Sequence, residues 1–422
     1  MTMLLGSREK RVKARLFGVL ALLAAFGPFA TDMYLPALIE IEKDLGAAQG
    51  AAQGTLSIFF LAAGLGQLLY GPLSDRAGRR VPLLCGTALF VVASLACVFV
   101  ESIGEMMFWR FLTGLGASSG MVLSRAVIRD KFDGDSAADA FSLMMVVMGA
   151  APILAPLCGG QLLLVAPWRH VFSVLAGIGL AAWAGVWFGL PESLPKARRA
   201  QTRILGGGIF QNYVSLLRDK RFLGLCLVQG FNAGAFFAYI TCSSRVFIGD
   251  FGVSSQTFAF FFGVNSLGLL GASWLNRRLL RRHPPGEVLG AGLAVVMIVG
   301  FLLALAAFTG TGGLALLAVL LFLTVASNGM VSPNSTALAL APHGHNAGAA
   351  SALLGALQFA VGGLAGGVAA AFGGGTVPMS IAICVCSTAA FAAYWLSRDT
   401  RRAPSGGNRP QAAWEAGPEA PR

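Results

Sequence analysis

Twelve runs of apolar residues succeed one another along this chain, each about as long as the roughly 20 residues a helix needs to cross a bilayer's hydrocarbon core. They lie near 16–37, 52–72, 82–101, 105–126, 139–163, 168–190, 222–244, 255–275, 287–308, 314–334, 348–371 and 377–397. The chain is 56% hydrophobic and only 12% charged, whereas soluble domains carry about 25% charged residues. A soluble fold could not hide this much apolar surface, so the expected fold is an all-α membrane protein. The first run follows a basic arm, as a secretory signal would. It continues to about Ala37 with no convincing small-residue cleavage site before Asp32, and reads as an uncleaved first span.

The distribution of Lys and Arg tests that count, because cytoplasmic loops collect basic residues. Basic clusters fall in the N-terminal arm (Arg8, Lys10, Arg11, Lys13, Arg15), loop 2–3 (Arg76, Arg79, Arg80) and around loop 4–5 (Arg125, Arg129, Lys131). Others fill the central stretch (Lys196 to Arg203, Arg218 to Arg221), loop 8–9 (Arg277, Arg278, Arg281, Arg282) and the tail from Arg398. The opposite loops hold only Lys43, Arg169 and Arg245, and Arg110 lies inside span 4. Both termini are therefore expected on the cytoplasmic side. The longest internal polar stretch, 191–221, separates two groups of six spans, the plan of a two-bundle transporter. The expected organisation is an N-terminal bundle with its arm over 1–190, a cytoplasmic linker over 191–221, a C-terminal bundle over 222–397, and a disordered Pro/Gly/Ala-rich tail over 398–422. The net charge of +12 comes from these short loop clusters, so nucleic acid is not an expected partner.

The seven cysteines all sit inside apolar runs without a CxxC pair, and the four histidines form no helical metal pair. Small apolar packing residues are the expected role for the cysteines, and neither a metal nor a cofactor is expected. There is no Walker sequence, GxSxG or HExxH, so ATP drive and enzyme chemistry have no support.

The residues that could carry chemistry are the ionisable ones inside spans. Asp32 lies toward the far end of span 1 in Pro28-Phe-Ala-Thr-Asp32-Met-Tyr-Leu-Pro36. A charge at a helix centre costs roughly 2.5–3.5 kcal/mol on insertion scales, so such residues are retained for function. A carboxyl in that setting can exchange a proton, as a proton-coupled carrier requires; the bland alternative is a half-wet acid anchoring the helix end. Arg110 lies early in span 4, in Arg110-Phe-Leu-Thr-Gly114. It is a permanent cation that either faces the interior near Asp32 or snorkels outward. Loop 2–3 reads Gly71-Pro-Leu-Ser-Asp75-Arg76-Ala-Gly78-Arg79-Arg80, with a weaker echo around Gly271 and Asn276 to Arg282 in the second half. Gly71 is expected to permit close helix approach. Asp75 with Arg76, and Arg79 with Arg80, are expected to form a gate that clasps the bundles in one state. Span 5 carries Pro152, Pro156, Gly159 and Gly160, which would bend it and let neighbours approach. Tyr34, Gln67, Asn232, Phe236, Tyr239 and Gln358 are the expected lining of an apolar, aromatic substrate cavity.

These motifs resemble those of the major facilitator superfamily. Loop 2–3 is similar to its signature between helices 2 and 3, Arg110 with Gly114 to its helix 4 arginine motif, and span 5 to the antiporter motif of its twelve-helix drug:proton exporters. Ala155 stands where that motif usually has glycine. Thr31-Asp32-Met-Tyr-Leu-Pro36-Ala, Gly66-Gln-Leu-Leu-Tyr-Gly71-Pro-Leu-Ser-Asp75-Arg76 and Ala151-Pro-Ile-Leu-Ala155-Pro156 resemble the Bcr/CflA branch in particular. The resemblance implies a monomer of two rocking six-helix bundles in the bacterial inner membrane, lipid around it, exporting bicyclomycin- or chloramphenicol-type antibiotics by proton antiport. It implies Asp32 as proton carrier tuned by Arg110, Asp75 and Arg76 as cytoplasmic latch, and Pro156 with Gly159 as seal. A proton-coupled exporter of an endogenous amino acid or peptide, or a non-transporting receptor, are the competing expectations.

Overall fold

The apolar runs become helices in the computed structural model, which describes residues 16–132, 134–195 and 208–399. The basic N-terminal arm, the stretch from Lys196 to Arg203 and the tail beyond Asp399 lie outside the described residues. The first crossing is a pair of helices, α1 (Leu16–Ala24) and α2 (Phe26–Asp44), bent by 40°. The remaining helices of the first half are α3 (Ala51–Ala77), α4 (Arg80–Ala96), α5 (Ile103–Lys131), α6 (Gly134–Leu162) and α7 (Arg169–Gly189). The second half holds α8 (Gly208–Arg218), α9 (Lys220–Ser244), α10 (Ser255–Leu279), α11 (Pro285–Thr309), α12 (Gly313–Leu340), α13 (Ala347–Ala371) and α14 (Thr376–Asp399). Among the described residues, ten helices are long and apolar enough to cross a membrane, the bent pair supplies an eleventh crossing, and α4, at 17 residues, is the shorter apolar helix standing at the third predicted span.

Local chemistry sets the ends. Ser102 caps α5 by accepting from the Glu105 amide at 3.3 Å, and Asp219 caps α9 by accepting from the amides of Arg221 and Phe222. These side chains satisfy donors that a helix start leaves without partners. Gly78, at φ +93°, turns the chain sharply out of α3 in a conformation other residues adopt only under strain. Two of the departures from the expected boundaries have a clear local cause. The first span runs on to Asp44 through a short 3-10 turn at Leu35–Ala37, because Pro36 fits the first turn of a helix and redirects it without ending it. The predicted linker contains the helix α8, whose Ile, Tyr, Val and Leu residues recur at helical spacing within a polar stretch.

Within the first half, α5 packs between α3 and α4, α4 packs on α7, and α2 packs against α5 and α6; in the second, α9 packs on α12, α13 and α14, and α12 joins α10 to α11. Small residues permit this. A Cβ at Gly116 of α5 would stand 2.6 Å from the Phe90 amide nitrogen of α4, so only glycine fits that crossing. Two seams join the halves: α3 against α13, and α6 against α10. The result is two packed groups of crossings that meet around a central cavity.

Candidate functional site

The cavity between the halves measures about 230 Å³. α2 contributes Thr31 and Asp32, α3 contributes Phe59 and Phe60, and α9 faces them with Phe236, Phe237 and Tyr239. Phe60 and Phe237 stack across the halves at 4.1 Å between centroids, with Phe359 of α13 beside both. Among the described residues, Asp32 is the one charged side chain in this wall. It is only 4% exposed and sits where regular α-helix gives way to the turn before Pro36. The Thr31 hydroxyl lies 2.8 Å from Asp32 Oδ1 and 3.0 Å from the Gly27 carbonyl oxygen, so its single proton serves one or the other.

Arg110 is completely buried and does not snorkel. Its Nη2 donates to the Ala30 carbonyl at 2.9 Å, and its guanidinium lies 4.4 Å from the Tyr34 ring centroid and 4.6 Å from that of Phe59. No ion pair joins it to Asp32 among the described residues. Of the two alternatives Arg110 takes the interior one, bonding the backbone two residues before Asp32 and fastening α5 to α2 at the point where α2 loosens. Nε and Nη1 of Arg110 are buried without a partner.

Three expected cavity residues lie elsewhere. Tyr34 is wholly buried behind the cavity, its hydroxyl 3.0 Å from that of Thr55 and its ring under Arg110, because the turn after Asp32 rotates it toward α3 and α7. Asn232 donates to Asn328 of α12 at 2.6 Å within the second half. Gln67 lies two helical turns beyond Phe60 on α3 and lines a separate vestibule of about 450 Å³ on the face that carries the basic loops. Phe236, Tyr239 and Gln358 do line the cavity. So do Asn265, a polar residue visible within its span, and Met121 and Met148, which the sequence does not single out. Apolar runs contain many such residues, and nothing in their order separates a lining methionine from a packing one.

The antiporter motif sits where α6 crosses α2. A Cβ at Gly159 would stand 2.8 Å from the Met33 carbonyl carbon and closer still to its oxygen, directly after Asp32. Pro152 reaches the cavity wall, and Pro156 is buried one turn on. Gly160 turns to the other half, its carbonyl accepting from Gln256 Nε2 of α10 at 3.2 Å.

At the basic-loop face the motif is built differently from expectation. Asp75 pairs with Arg79 at 2.6 Å; Arg79 Nε also donates to Asp130 at 2.9 Å and Nη1 to Ser74 Oγ at 2.6 Å. The amides of Arg79 and Arg80 both donate to the Glu192 carboxylate, and Arg80 Nη2 donates to the Trp187 carbonyl. These bonds tie α3, α4, α5 and the end of α7 together within the first half. Arg76 is exposed in the last turn of α3, and a Cβ at Gly71 would meet nothing within 4 Å, so Gly71 borders the vestibule and does not serve a close crossing. Asp130 and Glu192 were legible only as acids flanking basic loops.

On the opposite face an ion pair does cross between the halves. Glu42 of α2 accepts from the Gly50 amide at 2.7 Å and from Arg245 Nη1, in the turn that continues α9, at 3.5 Å; the Gln53 amide lies at 2.6 Å. Glu42 is buried and Arg245 Nε has no partner. This contact between α2 and the turn after α9 closes the cavity on that side. Among the described residues no group of His, Cys, Asp or Glu could hold a metal ion.

A family model described as the Major Facilitator Superfamily matches residues 20–366. The uncharacterized MFS-type transporter YdgK of Bacillus subtilis is 38% identical over 84% of this chain and 87% of its own length. The bicyclomycin resistance protein homolog of Haemophilus influenzae is 33% identical over 89% of this chain and 94% of its own length. Among solved structures, a bacterial homolog of the human lysosomal transporter Spinster, inward-facing and unoccupied, superposes with a TM-score of 0.71 at 15% identity, covering 92% of this chain and 97% of that one.

Proposed function

This chain belongs to the Major Facilitator Superfamily, and from that premise we propose that it exports lipophilic antibiotics of the bicyclomycin or chloramphenicol type in exchange for protons. It acts by alternating access in the bacterial inner membrane, with both termini on the cytoplasmic side. The observation that carries this reading is the setting of Asp32: a single carboxylate in an aromatic cavity between two packed halves, with one side of the cavity closed. An ionisable group inside a span that faces a cavity between two halves is what a proton relay needs, and Asp32 takes a proton from one side and yields it to the other. The rings accept apolar substrates of varied shape, since stacking and dispersion make few directional demands. Each inward proton carries about 2.3 kcal/mol per 100 mV of membrane potential, enough to hold a steep drug gradient. Similarity to the bicyclomycin resistance protein homolog supports the cargo class.

The test is growth of a pump-deficient bacterium on an antibiotic panel with wild type or Asp32→Asn at equal expression. Wild type raises resistance to at least one lipophilic antibiotic, and the variant does not. Resistance that survives the substitution removes Asp32 from the mechanism; wild type without effect on any drug removes the drug assignment.

A further inference from the structure

We propose that Tyr239, oriented by Asn265, is the positioning residue that receives the Asp32 carboxylate once its proton has left, so that deprotonation ties the two halves together across the cavity. This rests on the reading of Asp32 as the proton carrier. The argument is a count of hydrogen-bonding capacity. The Tyr239 hydroxyl, from α9 of the second half, accepts from Asn265 Nδ2 at 2.8 Å, and its ring stacks on Phe262 at 5.7 Å. A phenol has one O–H to donate as well as lone pairs to accept with. Asn265 engages a lone pair, and no acceptor for the proton is present among the described contacts. Asp32, from α2 of the first half, receives at most the Thr31 hydroxyl of its own helix, although an ionised carboxylate has room for about four donors. An unspent donor and an unspent acceptor thus line the same small cavity from opposite halves, both nearly fully buried. Each of the two has one partner here and capacity for another, Asp32 through Thr31 and Tyr239 through Asn265.

The other polar groups in the wall do not compete on equal terms. The Ser266 hydroxyl is committed to the Phe262 carbonyl at 3.0 Å, and no described bond holds the Gln358 amide in place. Among the described residues, Tyr239 is the hydroxyl of this wall that the second half presents through another side chain. The ionisable groups around Asp32 are Tyr34 on its own helix, Arg110 of α5, held on the Ala30 carbonyl beneath aromatic rings, and Tyr239. From α3, α6, α10, α12 and α13 the cavity receives no charged side chain. When the Asp32 proton passes to water on the basic-loop side, the carboxylate takes the Tyr239 hydrogen bond and draws the halves together. When Asp32 is protonated again it carries its own donor, and that bond is no longer required.

The test is an infrared titration of the purified full chain, following the carbonyl stretch of the protonated Asp that Asp32→Asn removes. Tyr239→Phe keeps the ring and its stacking but loses the donor; its titration moves to higher pH by about one unit, a tenfold change. Asn265→Leu moves the same way, and the double variant moves no further than Tyr239→Phe alone, because Asn265 acts only through the phenol. Midpoints of both single variants that match wild type overturn the proposal. A band that persists in Asp32→Asn instead overturns the assignment of Asp32 itself. Should Tyr239→Phe fail to fold, Asn265→Leu decides between the same outcomes.

Discussion

Gly159 offers the sharpest test of how the cavity is closed. Replacing it with alanine adds one carbon, and that carbon would stand 2.8 Å from the Met33 carbonyl carbon and nearer to its oxygen. The obstacle is backbone, so no side chain can swing aside. α2 and α6 must part by about 1 Å, and packed interiors hold no slack of that size. Overpacking of this kind costs about 1–3 kcal/mol, which is roughly a five- to 150-fold loss of the state that contains the contact. The same α2 carries the Glu42–Arg245 ion pair to the second half, so displacing it loosens closure at the face opposite the basic loops. Ile39 lies further along α2 in the seam with the second half, its Cδ1 3.4 Å from where a side chain at Gly249 would begin. In a cysteine-free background, Ile39→Cys therefore reports opening through its rate of reaction with a membrane-impermeant thiol reagent. Gly159→Ala is expected to raise that rate at least fivefold and to weaken efflux, with the protein still folded. An unchanged rate together with unchanged efflux would show that α2 and α6 are not in contact in the resting state, and the account of closure would fail.

Two further perturbations follow from the ion pairs. Glu42→Gln keeps the shape of the side chain but leaves Arg245 facing a neutral amide with its Nε already without a partner; the Ile39→Cys reporter should again react faster, and adding Arg245→Gln should reverse part of the effect, because unpaired buried charge is the main cost. Arg79→Ala strands Asp130, whose side chain is 3% exposed, and should cost about 3–5 kcal/mol, read as a lowered midpoint in thermal unfolding of the detergent-solubilised protein; Arg79→Lys should not rescue it, since a single ammonium cannot serve Asp75, Asp130 and Ser74 in one plane.

Much of this protein is legible in the order of its residues. The twelve apolar runs set the crossings, because in lipid a backbone must satisfy its own hydrogen bonds and a helix does so within one continuous segment. Asp32 and Arg110 stand out for the same one-dimensional reason: an ionisable group inside such a run is conspicuous without knowing what surrounds it. What surrounds it was beyond reach. Arg110 finds the Ala30 carbonyl and aromatic faces in place of Asp32, Tyr34 turns away from the cavity while Phe236 and Tyr239 enter it, and Asn265 becomes notable only beside Tyr239. Glu42 meets Arg245 across 203 positions of chain. Hydropathy accumulates residue by residue along a segment, so composition alone determines that a helix forms and crosses. Which side of that helix faces a cavity, a seal or a neighbour depends on rotations and close approaches fixed by the packing of other helices, and only the tertiary structure decides those.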